Sequence, residues 1–429
     1  MTSDNGTSRL APFRILERVA PSAPGIVRLE SEIHRALVEV RIPPHRLRGK
    51  RIGVSCGSRG IANLPEIVRA ICNWLKAQGS EPFVFPAMGS HGGATAEGQR
   101  KVLEEYGVTR EGVGAEIRSS METVSLGCSP EGFEVCLDAN AWNADGVIVM
   151  NRVKPHTDFT GIIESGLLKM LAVGAGKEQG ARQMHRAGRK FGFEKVIRSM
   201  SGVTLRSGKI LCGLGVVENE FHQIAQLRAA PPEGVASTDE ALQAEAKRLV
   251  PRLPFEDLHL LVVDEMGKNI SGTGMDTKVI GRGANFPYIE RSEILLIYVR
   301  DLTEKSGGNA LGVGLADVIH DRLFRKIDFA KTYVNVRTSL NPPMAQAPMH
   351  LGSDREALDF ALGALGSPDP NEQRIIWIRN TLDLNRVAIS AKLAKKAPEL
   401  TGWRLSEEEL TAEFDEGGDL DSPLLVHRT

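Results

Sequence analysis

The chain has 429 residues, 41% of them hydrophobic and 25% charged, and a formal net charge of -1, which describes a globular protein long enough for about two or three domains. Basic and acidic residues are balanced and interspersed, with no basic stripe of the kind that tracks nucleic-acid phosphates, so nucleic acid is not an expected partner. The opening segment MTSDNGTSRLAPF does not read as a signal peptide, and no run approaches the roughly 20 apolar residues that cross a bilayer; a cytoplasmic protein with no membrane partner is expected.

From residue 51 onward, strand and helix signals alternate. RIGVSC predicts a strand, and the turn GSRG follows at 57–60. In LPEIVRAICNWLKAQG, Ile67, Val68, Ile71, Trp74 and Leu75 recur at helical spacing and Gly79 supplies a stop. PFVFP at 82–86 predicts a second strand, MGSHGGAT a loop, AEGQRKVLEEYG a second helix, and GVIVMN at 146–151 a third strand. SGLLKMLAVG and residues 179–190 read as helices, KILCGLGVVEN at 209–219 as a buried strand, and residues 239–249 as a polar helix. PRLPF, with two prolines, then breaks regularity and sets a domain boundary near residue 255.

The second half restarts with strands at LHLLVVDEMG (258–267) and EILLIYVR (293–300). Ser353 and Glu356 form an S-x-x-E capping box before the helix DREALDFALGAL, and RIIWIRNT at 374–381 predicts a further strand. The acidic stretch LSEEELTAEFDEGGDLDSP predicts a surface helix and loose tail. The expected architecture is α/β: two α/β domains with mostly parallel sheets and an active-site cleft between them, over 1–255 and 256–400, with a helix and tail over 401–429 that could pack back on the first domain.

In such sheets ligands bind beyond the carboxyl ends of the strands. Arg59, His91 and His156 each follow a predicted strand within a few residues, which brings them to one edge. Arg59, with Ser58 in the same GSRG turn, can address a carboxylate or phosphate through its guanidinium and exposed backbone amides. His91 stands in GSHGG and His156 follows Pro155 in KPH, while His185 lies on a helix near Arg182, Arg186 and Arg189. Any one of these could be an ordinary hydrogen-bonded histidine. Lys169 sits in the apolar run GLLKMLAVG, where an amine must snorkel, pair or serve a purpose such as covalent attachment.

Other motifs are weaker. GAGKEQG lacks the earlier glycine of a phosphate-binding loop and carries Glu178 where Ser or Thr would hold magnesium; GLGVVE at 213–218 has glutamate in place of the third dinucleotide-binding glycine. The five cysteines, Cys56, Cys72, Cys128, Cys136 and Cys212, lack CxxC spacing and are expected to be buried free thiols. Residue chemistry alone thus reaches a small anionic ligand, histidine acid/base groups and a metal or proton-transfer site, and leaves the reaction open.

At these residues the chain resembles the nickel-pincer nucleotide-dependent lactate racemase superfamily. GSH at His91, KPH at His156, SGLLK at Lys169 and MH at His185 occur in the family's order, with sixteen residues from Lys169 to His185. The resemblance implies that His91 and His156 are an acid/base pair, that Lys169 carries the nickel-pincer nucleotide through a thioamide bond, that His185 ligates nickel, and that Arg59 lies near the substrate. With Ser58 beside it, Arg59 is also assigned to cofactor binding. The implied activity is a racemase or epimerase that inverts C2 of a 2-hydroxy acid by hydride transfer to the cofactor, through a 2-keto acid, with cofactor-making enzymes as maturation partners. An imidazole pair suits this, since a pKa near about 6.5 lets either member act as acid or base.

The sequence departs from the family pattern in a longer PH loop, in Leu167 and Leu168 where Gly and Arg are usual, and in the second domain. There MGKNISGTGMDTKVIGR replaces the usual tyrosine-glutamine-lysine group, leaving Lys268, Asn269, Asp276 and Lys278 as candidate substrate contacts. Two other readings use the same residues: a divalent-metal-dependent hydrolase and a non-catalytic anion-binding homologue.

Overall fold

The computed structural model describes residues 10–58, 60–157, 159–285, 288–290 and 293–420. The chain divides into two compact units, Ala23–Val250 and a second made of Met1–Ser22 with Pro251–Thr429. Both are α/β, with large and mostly parallel sheets.

In Ala23–Val250 the main sheet is six-stranded and central strands Arg51–Cys56, Glu81–Pro86, Gly146–Arg152 and Ile210–Glu218 all run parallel. Glu116–Ile117 adds a short parallel edge, and Ile224–Ala230 closes the other edge antiparallel to Ile210–Glu218. Both faces are buried. Along Gly146–Arg152, Ile148 and Met150 enter one apolar cluster while Val147 and Val149 enter another, the alternation a strand imposes on its side chains. Each such side chain taken fully out of water contributes about 1.5–3 kcal/mol. The helix Leu64–Ala77 buries Ile67, Val68, Ile71, Trp74 and Leu75, the stripe that its spacing predicted.

In the second unit an eight-stranded sheet begins with five parallel strands, Met349–Leu351, Val318–His320, Ile294–Leu302, Leu258–Met266 and Ile375–Ile378, and ends with three antiparallel ones. Leu260 and Val262 face one cluster, Leu261 and Val263 the other. Ser353 Oγ does accept the Glu356 amide at 3.3 Å, but the Glu356 carboxylate turns to the Gly352 amide at 3.0 Å, so only half of the expected capping box forms as drawn.

Three expectations are corrected. Phe13–Arg18, assigned by position to the first domain, is a strand of the second unit's sheet, paired antiparallel with Arg386–Ser390 and Trp403–Leu410. The acidic stretch expected as a helix begins with that same strand, Trp403–Leu410. Pairing supplies the reason: Ser406 Oγ accepts the Ile15 amide at 3.0 Å and Arg404 meets Glu17 at 2.8 Å, contacts invisible to a local reading. Among the cysteines, all free, Cys128 is exposed rather than buried. No helix of the described residues is long and apolar enough to cross a membrane.

Candidate active site

Parallel strands deliver the candidate residues. Ser58 lies two residues past Arg51–Cys56, His91 five past Glu81–Pro86, and His156 four past Gly146–Arg152, all beyond carboxyl ends. Arg59 lies outside the described residues. The Ser58 hydroxyl hydrogen-bonds His91 Nδ1, joining two adjacent strand ends. The His91 loop is further tied to the segment after Lys169, where the Gly89 amide donates to the Gly174 carbonyl at 3.2 Å.

His156 stands at the start of a loop whose neck is closed by paired backbone bonds between Lys154 and Ser165. Inside it the fully buried Glu164 carboxylate accepts the His156 amide at 2.6 Å and the Gly161 amide at 3.1 Å, and Lys247 balances its charge at 2.8 Å. The His156 ring stacks on Phe159 with centroids 4.4 Å apart, Phe159 stacks on Phe193 at 5.1 Å, and Phe193 meets His185 edge-on at 6.3 Å. Gly188, three residues after His185, makes room for this arrangement, because a Cβ there would fall 2.2 Å from the Phe193 ring. Two imidazoles far apart in sequence thus flank one pair of stacked phenyl rings.

Lys169 is half-buried and ends the short helix Leu167–Lys169, which continues as the wider turn Met170–Gly174. Leu167 and Leu168 are core residues, so the departure from Gly and Arg noted above fills apolar space. Their amides both donate to Asp239, to Oδ1 and Oδ2 at 2.9 Å each. Asp239 approaches so closely that a Cβ at Gly166 would lie 2.0 Å from its Oδ1. Burial raises the Asp239 pKa to about 6, opposed by these two amide bonds. Asp239 belongs to the helix Val235–Leu249, expected as a polar helix over 239–249, and is itself buried where it caps the lysine-bearing turn.

Glu164, Asp239, Phe159 and Phe193 were not singled out from the sequence. Glu164 left a signal, a carboxylate in the apolar run GIIES between His156 and Lys169. Asp239 left none, lying seventy residues beyond Lys169.

Lys268, Asn269 and Lys278 belong to the other unit, just past Leu258–Met266. The Lys268 ammonium donates to the Gly272 carbonyl, Asn269 Oδ1 accepts the Thr303 hydroxyl at 2.6 Å, and the Lys278 amide donates to Asp276 at 2.9 Å. Two of these contacts are local to the segment, and the third joins it to Thr303, just past the neighbouring strand Ile294–Leu302.

Among the described residues, the group of His, Cys, Asp or Glu side chains spaced to hold a metal is His320, Asp354 and Asp419, with ligand atoms within 4.8 Å of one another. Its donors are engaged otherwise. His320 Nδ1 accepts the Arg322 amide at 2.9 Å, which assigns the ring proton to Nε2, and Nε2 donates to Asp419 at 2.7 Å. Asp354 receives Arg300 and Arg322, whose positive charges oppose a cation. This is an ion-pair network. Around Lys169 and His185 the donor set is different, a half-buried amine and a half-buried imidazole on neighbouring helical segments. It fits a nickel-bearing group that supplies its own further donors: the amine can form an amide-type link and imidazole is an accepted nickel ligand.

The sequence matches the family described as Domain of unknown function (DUF362) over residues 55–275. No curated protein matches the chain. Among solved structures it is similar to the lactate racemase apoprotein from Thermoanaerobacterium thermosaccharolyticum, with 15% identity, a TM-score of 0.51, and coverage of 87% of this chain and 99% of that one. A protein from Thermotoga maritima aligns with 14% identity and a TM-score of 0.46, over 64% of this chain and 70% of that one. The first of these likenesses concerns the fold, which is lactate racemase-like.

Proposed function

Because the chain belongs to the family described as Domain of unknown function (DUF362), which names no reaction, we propose its function from the site: an isomerase that racemises or epimerises a 2-hydroxy acid at C2 with a nickel-pincer nucleotide. The observation that supports this is the grouping at one sheet edge, with Ser58 on His91, His156 and His185 flanking the Phe159–Phe193 stack, and the Lys169 turn tied to the His91 loop through Gly174. In this reading Lys169 Nζ carries the cofactor and His185 ligates its nickel. The bound group supplies a hydride acceptor that no side chain offers.

The remaining steps belong to the protein. His91, with Nδ1 engaged by Ser58, exchanges a proton with the substrate 2-hydroxyl through Nε2. His156, its backbone fixed by Glu164 and its ring by Phe159, serves the opposite face. The stacked phenyl rings exclude water from that side. An imidazole pair permits catalysis in both directions near neutral pH.

The test is a screen of protein coexpressed with cofactor-making enzymes against 2-hydroxy acids, including dicarboxylic and sugar acids, with chiral analysis at C2. Inversion of at least one acid is expected, and His91→Ala or His156→Ala should each slow it by about 10²–10⁴-fold. Loaded protein that inverts none of them, or variants as fast as the parent, would remove the proposal.

A further inference from the structure

The motif GAGKEQG, which does not form a phosphate-binding loop, puts Lys177 at a position that combines two costs. Its side chain is fully buried, and its backbone φ is +55°, in the left-handed region that non-glycine residues avoid. A buried charge and a strained backbone each oppose stability, and a well-packed apolar side chain would remove the first. Such costs are retained where geometry is being enforced.

The contacts of Lys177 identify that geometry. Its ammonium pairs with Asp138 Oδ2 at 2.9 Å and donates to Gln99 Oε1 at 3.0 Å and to the Pro86 carbonyl, the last residue of the strand leading to His91. Gln99 is also fully buried, and its Nε2 donates to the carbonyls of Gly89 at 2.9 Å and His91 at 3.2 Å. Lys177 is the first residue of the helix Lys177–Phe191 that carries His185. Asp138 anchors the far side, accepting the amides of Asn140 and Ala141 through Oδ1 and donating its own amide to the Ala175 carbonyl at 2.7 Å. One ammonium and one amide therefore connect the elements that bear two of the three histidines.

We propose that Lys177 is a positioning residue which, through Gln99, fixes the loop bearing His91 to the start of the helix bearing His185. Burial pulls the Lys177 pKa below the ordinary lysine value, and the Asp138 carboxylate pushes back toward the charged form that the network uses. The fixing of the loop is independent of the reaction; its consequence for proton transfer rests on the function proposed above.

Two variants separate positioning from general stability. Lys177→Met/Asp138→Asn removes both charges and so leaves no unpaired ion in the core, and Gln99→Leu removes the clamp on the loop while keeping the ion pair. Amide hydrogen exchange and the imidazole titration of His91, followed by NMR on the full chain without cofactor, are the readouts. Both variants are expected to keep a cooperative thermal transition while exchange at the His91 amide rises about five- to tenfold, the worth of one lost hydrogen bond. The His91 titration midpoint should move in Gln99→Leu although no charge has changed. Should the double variant fail to fold, Gln99→Leu decides alone. Exchange within about twofold of the parent and an unmoved His91 titration in Gln99→Leu overturn the proposal. If instead these shifts occur but the loaded protein inverts no hydroxy acid, the positioning role stands and the functional reading falls.

Discussion

The two units cover parallel sheets in the same way and place their polar residues in opposite ways. In the second unit, Asp264 and Arg300 sit on neighbouring parallel strands inside the protein, 2.6 Å apart, and Trp377 Nε1 donates to the same aspartate at 2.8 Å. Arg300 forks onto Asp354 with two bonds of 2.9 Å, and Tyr298, Arg322 and the Leu420 amide add to that carboxylate. Burial alone would raise the Asp354 pKa, yet the bonds from Arg300 and Tyr298 hold it well below the usual carboxylate range. In Ala23–Val250 the imidazoles instead sit at strand ends and on a helix face, His91 exposed and His156 and His185 half-buried, and the buried ions Lys177, Asp138, Glu164 and Asp239 stand behind them. Buried charge in one unit joins strands to each other and to the segment at Leu420. In the other it holds loops that present side chains to solvent, the disposition expected of a site.

Breaking the first network should have the largest effect. Arg300→Met leaves Asp264 and Asp354 buried with less compensation, and the loss of stability in denaturant titrations should be about 3–5 kcal/mol, while the His91 and His156 titrations stay put. A loss near zero would show that the second unit does not depend on its arginine, and the contrast between the units would collapse.

Asp239 tests the other side. Its folded pKa, about 6, lies above the value of an unfolded aspartate, so the folded state holds the proton longer. Stability from this group is therefore greatest below about pH 4 and falls as pH rises to about 6. The advantage of the parent over Asp239→Asn should shrink by up to about 3 kcal/mol between pH 3 and pH 7. A pH-independent difference would mean that the carboxylate behind the Lys169 turn is not the titrating group.

The smallest effect concerns the stacked rings. Phe159→Leu keeps apolar volume but loses the ring contacts to His156 and Phe193, a cost of about 0.5–1.5 kcal/mol. The NMR signals of both His156 and His185 should move together; movement of His156 alone would show that the two are not linked through the phenyl pair.

The strand ends that carry the candidate residues could be read from the sequence, while the buried ion networks of both units could not. The strands before Ser58, His91 and His156 follow from short apolar runs, the first two closed by Gly57 and Pro86, and the helix over Leu64–Ala77 follows from its stripe. Local signals fix local structure, and each candidate histidine lies next to such a signal. Phe13–Arg18 and Trp403–Leu410 escaped because each becomes a strand by pairing with the other across nearly the whole chain, where a charged sequence such as RLSEEEL carries no local mark. Asp239 escaped for the same reason, since it is polar by sequence and buried only by the two amides it caps. Lys177 was visible as a lysine in a glycine-rich turn, but its partners, Asp138 and Gln99, come from segments that only the fold assembles.

The central claim is that this edge of the sheet holds a cofactor on Lys169, and intact-mass measurement tests it most directly. Protein coexpressed with cofactor-making enzymes should carry a covalent sulfur-containing adduct, with nickel by metal analysis, and Lys169→Ala should show the mass of the bare chain. An adduct that persists in Lys169→Ala, or a parent protein that never gains one, would contradict the account.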